Sequence, residues 1–252
     1  MKKSITLFLF FALSAVLFAQ HSRLSNGWEY SVLREGKDET ASSDHAIEAF
    51  FLIRNTEGKI LGSTYPLGAP SYQIVKDLSE NFQIAAAVTA EGGKYLFYIP
   101  IADFKKEMGD TPISKNLPGD HVEWEMEIVR VLPAKPAISI AVGKTLQQQN
   151  AAAAIEEFRS FTQGNDEIYA GELDVNKLGY AFLSAGHIKE AIEVFEFNVK
   201  ANPTSGNVYD SLAEALMADG QKQPAIEHYK KSLELNPKNE NAKKMIVQLE
   251  KQ

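Results

Sequence analysis

The chain has 252 residues, 44% of them hydrophobic, a formal charge of −7 and no cysteine. That apolar content supports one or two packed domains, and the acidic balance argues against nucleic-acid binding, which needs a basic surface. Without cysteine, disulfides, thiolate-held zinc or iron–sulfur clusters, and a lipid-modified cysteine after a leader are all excluded.

Residues 1–19 read as a secretory signal peptide. Lys2 and Lys3 precede the uncharged apolar run Ile5–Phe18, and Ala19 suits a cleavage position that leaves Gln20 first. The run is short for a membrane-spanning helix. The expected address is a bacterial periplasm or the exterior, with no stable membrane anchor after cleavage.

Residues 20–132 have the texture of a β-rich domain. Strands are expected over Glu29–Arg34, Ala46–Arg54, Lys59–Thr64, Tyr95–Ile99 and Val122–Leu132. In the last of these, Val122, Trp124, Met126 and Ile128 share one face, while Glu123, Glu125 and Glu127 share the other. That pattern predicts a half-buried strand with a solvated carboxylate face, and the glutamates are not read as a metal site. Leu78–Thr89 places Phe82, Ala85, Ala86 and Thr89 at helical spacing, with Asp77 or Ser79 as N-cap, and Gly92-Gly93 ends the segment. Strands, one helix, then strands make an α+β unit, with a curved antiparallel sheet wrapped on the helix.

Residues 133–137 form a linker. In Leu132-Pro133-Ala134-Lys135-Pro136 the two prolines favour extended chain. Its shortness restricts how the flanking parts can be oriented.

A phrase then recurs. Ala154-Ile155-Glu156-Glu157-Phe158 is followed by Ala191-Ile192-Glu193-Val194-Phe195 and Ala225-Ile226-Glu227-His228-Tyr229, at spacings of 37 and 34 residues. Such periods mark stacked helical hairpins. The later copies also align Leu178 with Leu212, Gly186 with Gly220 and Pro203 with Pro237. The glycines are expected at tight turns where a side chain would clash, and the prolines at helix ends. The array divides into a degenerate unit over 138–172, with helices Ile138–Gln149 and Asn150–Thr162, then repeats 173–203 and 205–237 and a capping helix 239–252. In the cap, Met245, Ile246 and Leu249 face inward.

These repeats resemble the tetratricopeptide repeat family, in LGYAFLSAGHIKEAIEVFEFNVKANP and YDSLAEALMADGQKQPAIEHYKKSLELNP. The resemblance implies an all-α TPR helical-hairpin array that binds protein or peptide clients, and it leaves self-association open. Cytosolic members grip a C-terminal carboxylate with Lys, Asn and Arg from successive first helices. Asn207 lies near one such position, but matching lysines and arginines are not evident. Asn207 is therefore the one protein-binding candidate, and chaperone-tail capture is not expected.

Residues 27–132 resemble the FKBP family of peptidyl-prolyl cis-trans isomerases. Gly27-Trp28-Glu29-Tyr30-Ser31-Val32-Leu33-Arg34-Glu35-Gly36 is similar to the family's first strand. Glu57-Gly58-Lys59-Ile60-Leu61 sits where the family has an Asp-Gly turn followed by Phe. Gly93-Lys94-Tyr95-Leu96-Phe97-Tyr98-Ile99-Pro100 and the closing segment from Leu117 to Ile128 agree in order and spacing. The resemblance implies an FKBP-like fold and an aromatic cup for Xaa-Pro bonds. Its tyrosine falls on Phe51, its cup phenylalanine on Leu61, the following aspartate on Gly62, its floor tryptophan on Phe82 and its last-strand aromatic on Trp124. The loop tyrosine has no match in Ile101-Ala102-Asp103-Phe104-Lys105. The candidate catalytic cup is thus Phe51, Leu61, Phe82 and Trp124.

Peptide-bond rotation faces a barrier of roughly 18–20 kcal/mol. An apolar cup that stabilises the twisted amide needs no nucleophile, metal or cofactor, and none is expected. The five histidines show no ligand spacing, and no hydrolase elbow or phosphate loop occurs. Two readings follow. One is an exported FKBP-like isomerase or folding factor with a TPR interaction module. The alternative is a non-catalytic TPR scaffold whose FKBP-like domain only binds peptide or protein segments.

Overall fold

The computed structural model describes residues 21–37, 39–164 and 166–251. The expected signal segment lies outside the described residues. Seven strands occur among them: β1 Ser22–Arg23, β2 Glu29–Arg34, β3 His45–Asn55, β4 Ile60–Ser63, β5 Ser71–Ile74, β6 Lys94–Pro100 and β7 His121–Pro133. They form one antiparallel sheet in the order β1-β2-β6-β7-β3-β4, with β5 also paired to β3. β3 carries two short partners on one edge, β4 along Leu52–Arg54 and β5 along Ala46–Ala49. The turn between them, containing Tyr65–Leu67, leaves the sheet.

Helix α1, Glu80–Val88, covers the apolar face and buries Ala85 and Ala86. Phe97, Trp124, Met126, Ile128 and Ile47 meet it in one core cluster. Each large side chain removed from water there contributes roughly 1.5–3 kcal/mol. The α+β reading therefore holds, and the five expected strands stand within two residues of their expected ends.

Two expectations for the sheet half change. Ile101–Lys105, read as a loop, begins helix α2, Ile101–Met108. Pro100 precedes its first turn, Asp103 lies in that turn, and Lys105 and Lys106 lie in the last, all favourable for the helix dipole. The glutamate face of β7 is also less solvated than its alternation suggests. Glu125 is buried, and Lys94 Nζ lies 2.8 Å from its carboxylate and 3.5 Å from that of Glu127. Arg34 pairs with Glu127 at 2.7 Å, and the Tyr65 hydroxyl donates to Glu127 at 2.7 Å. Burial opposes ionisation of Glu127, but the hydrogen bonds from Arg34 and Tyr65 outweigh it and hold the carboxyl below its usual range.

The helical half runs α3 Ile138–Gln148, α4 Ala151–Thr162, α5 Glu172–Ser184, α6 Ile188–Ala201, α7 Gly206–Ala218, α8 Lys222–Leu235 and α9 Glu240–Glu250. α3 packs on α4, α5 on α6 and α7 on α8 as successive hairpins. Asn150 caps α4, its Oδ1 accepting from the Ala153 amide at 2.9 Å. Phe158, Leu178, Phe182, Phe195, Leu212 and Tyr229 share one core, and Leu249 of α9 closes it. Gly186 and Gly220 adopt φ of 82° and 78°, yet a Cβ at either would meet nothing within 4 Å. The left-handed backbone, not a clash, calls for glycine there.

The segment between α4 and α5 docks the two halves together. Tyr169 stacks on Tyr72 of β5 with ring centroids 3.6 Å apart, and its hydroxyl donates to Glu48 of β3 at 2.7 Å. Arg130 of β7 binds both oxygens of Glu48, at 2.7 and 2.8 Å. The Tyr169 backbone exchanges hydrogen bonds with Pro136 and Ile138. The Tyr72 hydroxyl bonds the main chain of Lys135 at 2.9 Å. The short linker is thus pinned on both sides.

Candidate functional site

Three of the four expected cup residues converge. Trp124 alternates inward on β7 and is 6% exposed. Phe51 of β3 stacks on it with centroids 5.5 Å apart, Phe82 of α1 meets it edge-on at 4.7 Å, and Phe97 of β6 tilts against it at 5.4 Å. Phe51 and Phe82 are only partly buried, so both rings present apolar surface around a buried indole. Leu61 of β4 packs against the same cluster from its edge. It also lines a crevice of about 270 Å³ with Ile60, Pro112, Ile113, Leu117 and Pro118. Ile60 and Ile113 are exposed there.

A second layer holds the rings. Trp28 is fully buried and meets Phe82 edge-on at 5.6 Å. Its indole nitrogen donates to Asp103 Oδ2 of α2 at 2.9 Å. Asn81, one residue before Phe82, accepts from Asn26 at 3.0 Å and donates to Glu107 of α2 at 2.8 Å. The start of α1, the approach to β2 and α2 are therefore tied at the position of Phe82. Trp28 and Asp103 were not among the candidates read from sequence. The alternation of Trp28 and Tyr30 at the start of a strand was the available signal for an inward ring.

Asn207 lies in the first turn of α7, where its amide donates to Glu172 Oε1 at 3.2 Å; Ser205 donates to the same oxygen at 2.8 Å. Burial raises the Glu172 carboxyl above its ordinary range, against the lowering by Ser205 and Asn207. Further along the first helices, Tyr180 donates to Glu214 at 2.6 Å. Asn241 donates to Asp210 and Glu214 at 3.0 Å each, and Asn239 to Asp210 at 2.9 Å. This surface carries carboxylates, the opposite charge from a carboxylate-gripping clamp.

Residues 206–239, which hold α7 and α8, match the tetratricopeptide repeat family model. The small glutamine-rich tetratricopeptide repeat-containing protein 2 of Mycosarcoma maydis is 29% identical over 106 residues, 41% of this chain and 29% of that protein. The match thus spans less than a third of that relative. Among solved structures, a peptidyl-prolyl cis-trans isomerase from Pseudomonas syringae is similar over 44% of this chain and 80% of its own, at 18% identity and a TM-score of 0.37. A multi-domain immunophilin from Arabidopsis thaliana is similar over 85% of this chain and 97% of its own, at 12% identity and a TM-score of 0.39.

Proposed function

We propose that this chain is an exported peptidyl-prolyl isomerase or folding factor whose helical repeats hold its protein clients. The observation that carries the proposal is the buried Trp124 indole walled by the partly exposed rings of Phe51 and Phe82. A proline ring seated on that surface leaves water. The preceding amide then loses resonance in an apolar setting, which favours the less polar twisted state over the planar one. The Asp103–Trp28 pair and the Asn26–Asn81–Glu107 chain keep the Phe82 ring from yielding as the substrate turns. Export rests on the Lys2-Lys3 and Ile5–Phe18 pattern.

The test is cis/trans exchange in short uncharged Xaa-Pro peptides, followed by NMR with the full chain. Acceleration is expected, with a loss of tenfold or more for Phe82→Ala and Trp124→Ala when both remain folded by circular dichroism. No acceleration by the folded chain, over several residues before proline, would sink the enzymatic reading.

A second reading has its own observation. Phe51 and Gly62 bring no hydroxyl or carboxylate to the wall where the FKBP resemblance would have them. On that reading the rings bind extended segments without turning them, and the chain is a scaffold. Binding of a proline-containing peptide without faster exchange would select it.

A further inference from the structure

A cleft of about 810 Å³ lies between the two halves. One wall is the turn Tyr65–Gly68, which leaves the sheet between β4 and β5. The other is formed by the first turn of α7, with Ser205, Asn207 and Asp210, and by the junction of α8 and α9, with Lys238, Asn239 and Glu240. Leu67 in the turn is 42% exposed. Next to the cleft, along the first helices, Glu172, Asn176 and Tyr180 recur at four-residue spacing on α5, and Asn207, Asp210 and Glu214 lie three and four residues apart on α7.

The carboxylates on this path share one property. Glu172 is held by Ser205 and Asn207, Asp210 by Asn239 and Asn241, and Glu214 by Asn241 and Tyr180. All of these donors are neutral. They fix the oxygens in place without cancelling their charge, whereas carboxylates elsewhere in the fold, such as Glu48, Glu127 and Glu193, take arginine. Two further groups lack partners among the described residues. The Asn176 Oδ1 is an inaccessible acceptor with no donor, on the same face of α5 as Glu172 and Tyr180. Tyr229 is fully buried, its hydroxyl has no partner, and it feels the negative charge of Asp210 and Glu214. Fixed acceptors and uncompensated charge call for a guest that brings N–H donors and positive charge. Lys238, at the rim of the cleft, is the one cation lining it among the described residues.

We propose that this cleft holds a lysine- or arginine-bearing stretch of a client polypeptide, with its cationic side chains toward Asp210 and Glu214 and its apolar neighbours on Leu67. The proposal rests on reading the repeats as a client-holding surface. It is independent of isomerase activity, which is measured on uncharged peptides.

The test is fluorescence anisotropy of the full chain with two labelled octapeptides, (Ser-Lys)4 and (Ser-Glu)4. The lysine peptide is expected to bind at least tenfold tighter and to weaken as salt rises. Asp210→Asn with Glu214→Gln keeps oxygen acceptors but removes charge, and a tenfold loss is expected. Lys238→Glu, at an exposed rim position, should tighten the lysine peptide several-fold, and it keeps the proposal testable if the double variant unfolds. Equal or tighter binding of the glutamate peptide overturns the proposal. So does lysine-peptide affinity that neither variant changes. Failure of both peptides to bind, by a chain that still captures a permanently unfolded protein, overturns the cleft assignment and leaves the repeats as a client surface.

Discussion

Gly179 and Gly186 are eight residues' span of one hairpin, and they need glycine for different reasons. A Cβ on Gly179 would stand 2.4 Å from the Phe195 ring, while one on Gly186 would meet nothing but would sit at φ 82°. The repeat itself indicates which is the harder demand. One period on, Ala213 replaces Gly179 and is fully buried in the same core as Tyr229, so this repeat position accepts a methyl group, whereas Gly220 keeps both the glycine and its φ. Gly186→Ala is therefore expected to cost about 1–2 kcal/mol from left-handed strain. Gly179→Ala should cost less, because a gain of roughly 0.5–1 kcal/mol in helix propensity offsets the repacking. Urea denaturation of both variants checks the order, and a larger loss at Gly179 would refute it.

His228 adds a pH term at the same scale. It stacks on Tyr209 with centroids 5.9 Å apart, and burial pulls its pKa below 6.5, against the acids Glu227 and Glu196. The unfolded chain then binds more protons than the folded one. Stability is expected to fall as pH drops through about 6.5 towards the lower native value. His228→Phe, which keeps a ring on Tyr209, should flatten that part of the stability-versus-pH curve. An unchanged slope would rule out His228 as a source.

At the scale of elements, legibility followed periodicity. The helices of all three hairpins and the longer strands repeat their apolar residues at a period of 3.6 or 2 and could be placed from sequence. β5 has four residues and no such pattern, and it forms only because β3 offers an edge beyond β4. α2 was hidden for another reason: the FKBP resemblance suggested a loop, although Pro100, Asp103 and Lys105 spelled a helix. In the candidate site, Phe82 and Trp124 were legible because each follows its element's own pattern, and Phe51 because the FKBP resemblance carries an aromatic position onto it. Trp28 and Asp103 were not, since their hydrogen bond joins residues 75 apart in sequence. Caps follow the local rule at α4 and α9, whereas Ser79, one of the two caps expected for α1, stands at its N-cap without a side-chain cap hydrogen bond. Asn150→Ala leaves the Ala153 amide without its side-chain acceptor and should cost about 1 kcal/mol. Hydrogen exchange should rise first in the initial turn of α4. Faster exchange spread evenly over the array would assign Asn150 a wider role.

The whole molecule depends on the segment between α4 and α5, which no repeat position explains. Tyr169 contributes no repeat position, yet it supplies the ring on Tyr72 and the hydroxyl on Glu48, while its backbone ties the linker to α3. Without that contact, the sheet wall and the repeat wall of the large cleft would be joined by the linker, its Tyr72–Lys135 contacts and the approach of α5 to β5. Aromatic stacking contributes roughly 0.5–1.5 kcal/mol, and a hydrogen bond to a charged group about 1.5–3 kcal/mol. Tyr169→Ala removes both, an expected loss of about 2–4 kcal/mol in coupling between the halves. Glu48 keeps Arg130 in that variant, so the sheet itself should stay folded. Thermal unfolding should then split into two transitions, and small-angle scattering should show a broader distribution of distances. Tyr169→Phe keeps the stack and loses only the hydroxyl, so its scattering should match the parent chain with a smaller drop in stability. If Tyr169→Ala left both the scattering and the single transition unchanged, the orientation of the halves would have to come from the Lys135–Tyr72 contacts and the approach of α5 to β5. The cleft would then be set by the linker and not by the segment between α4 and α5.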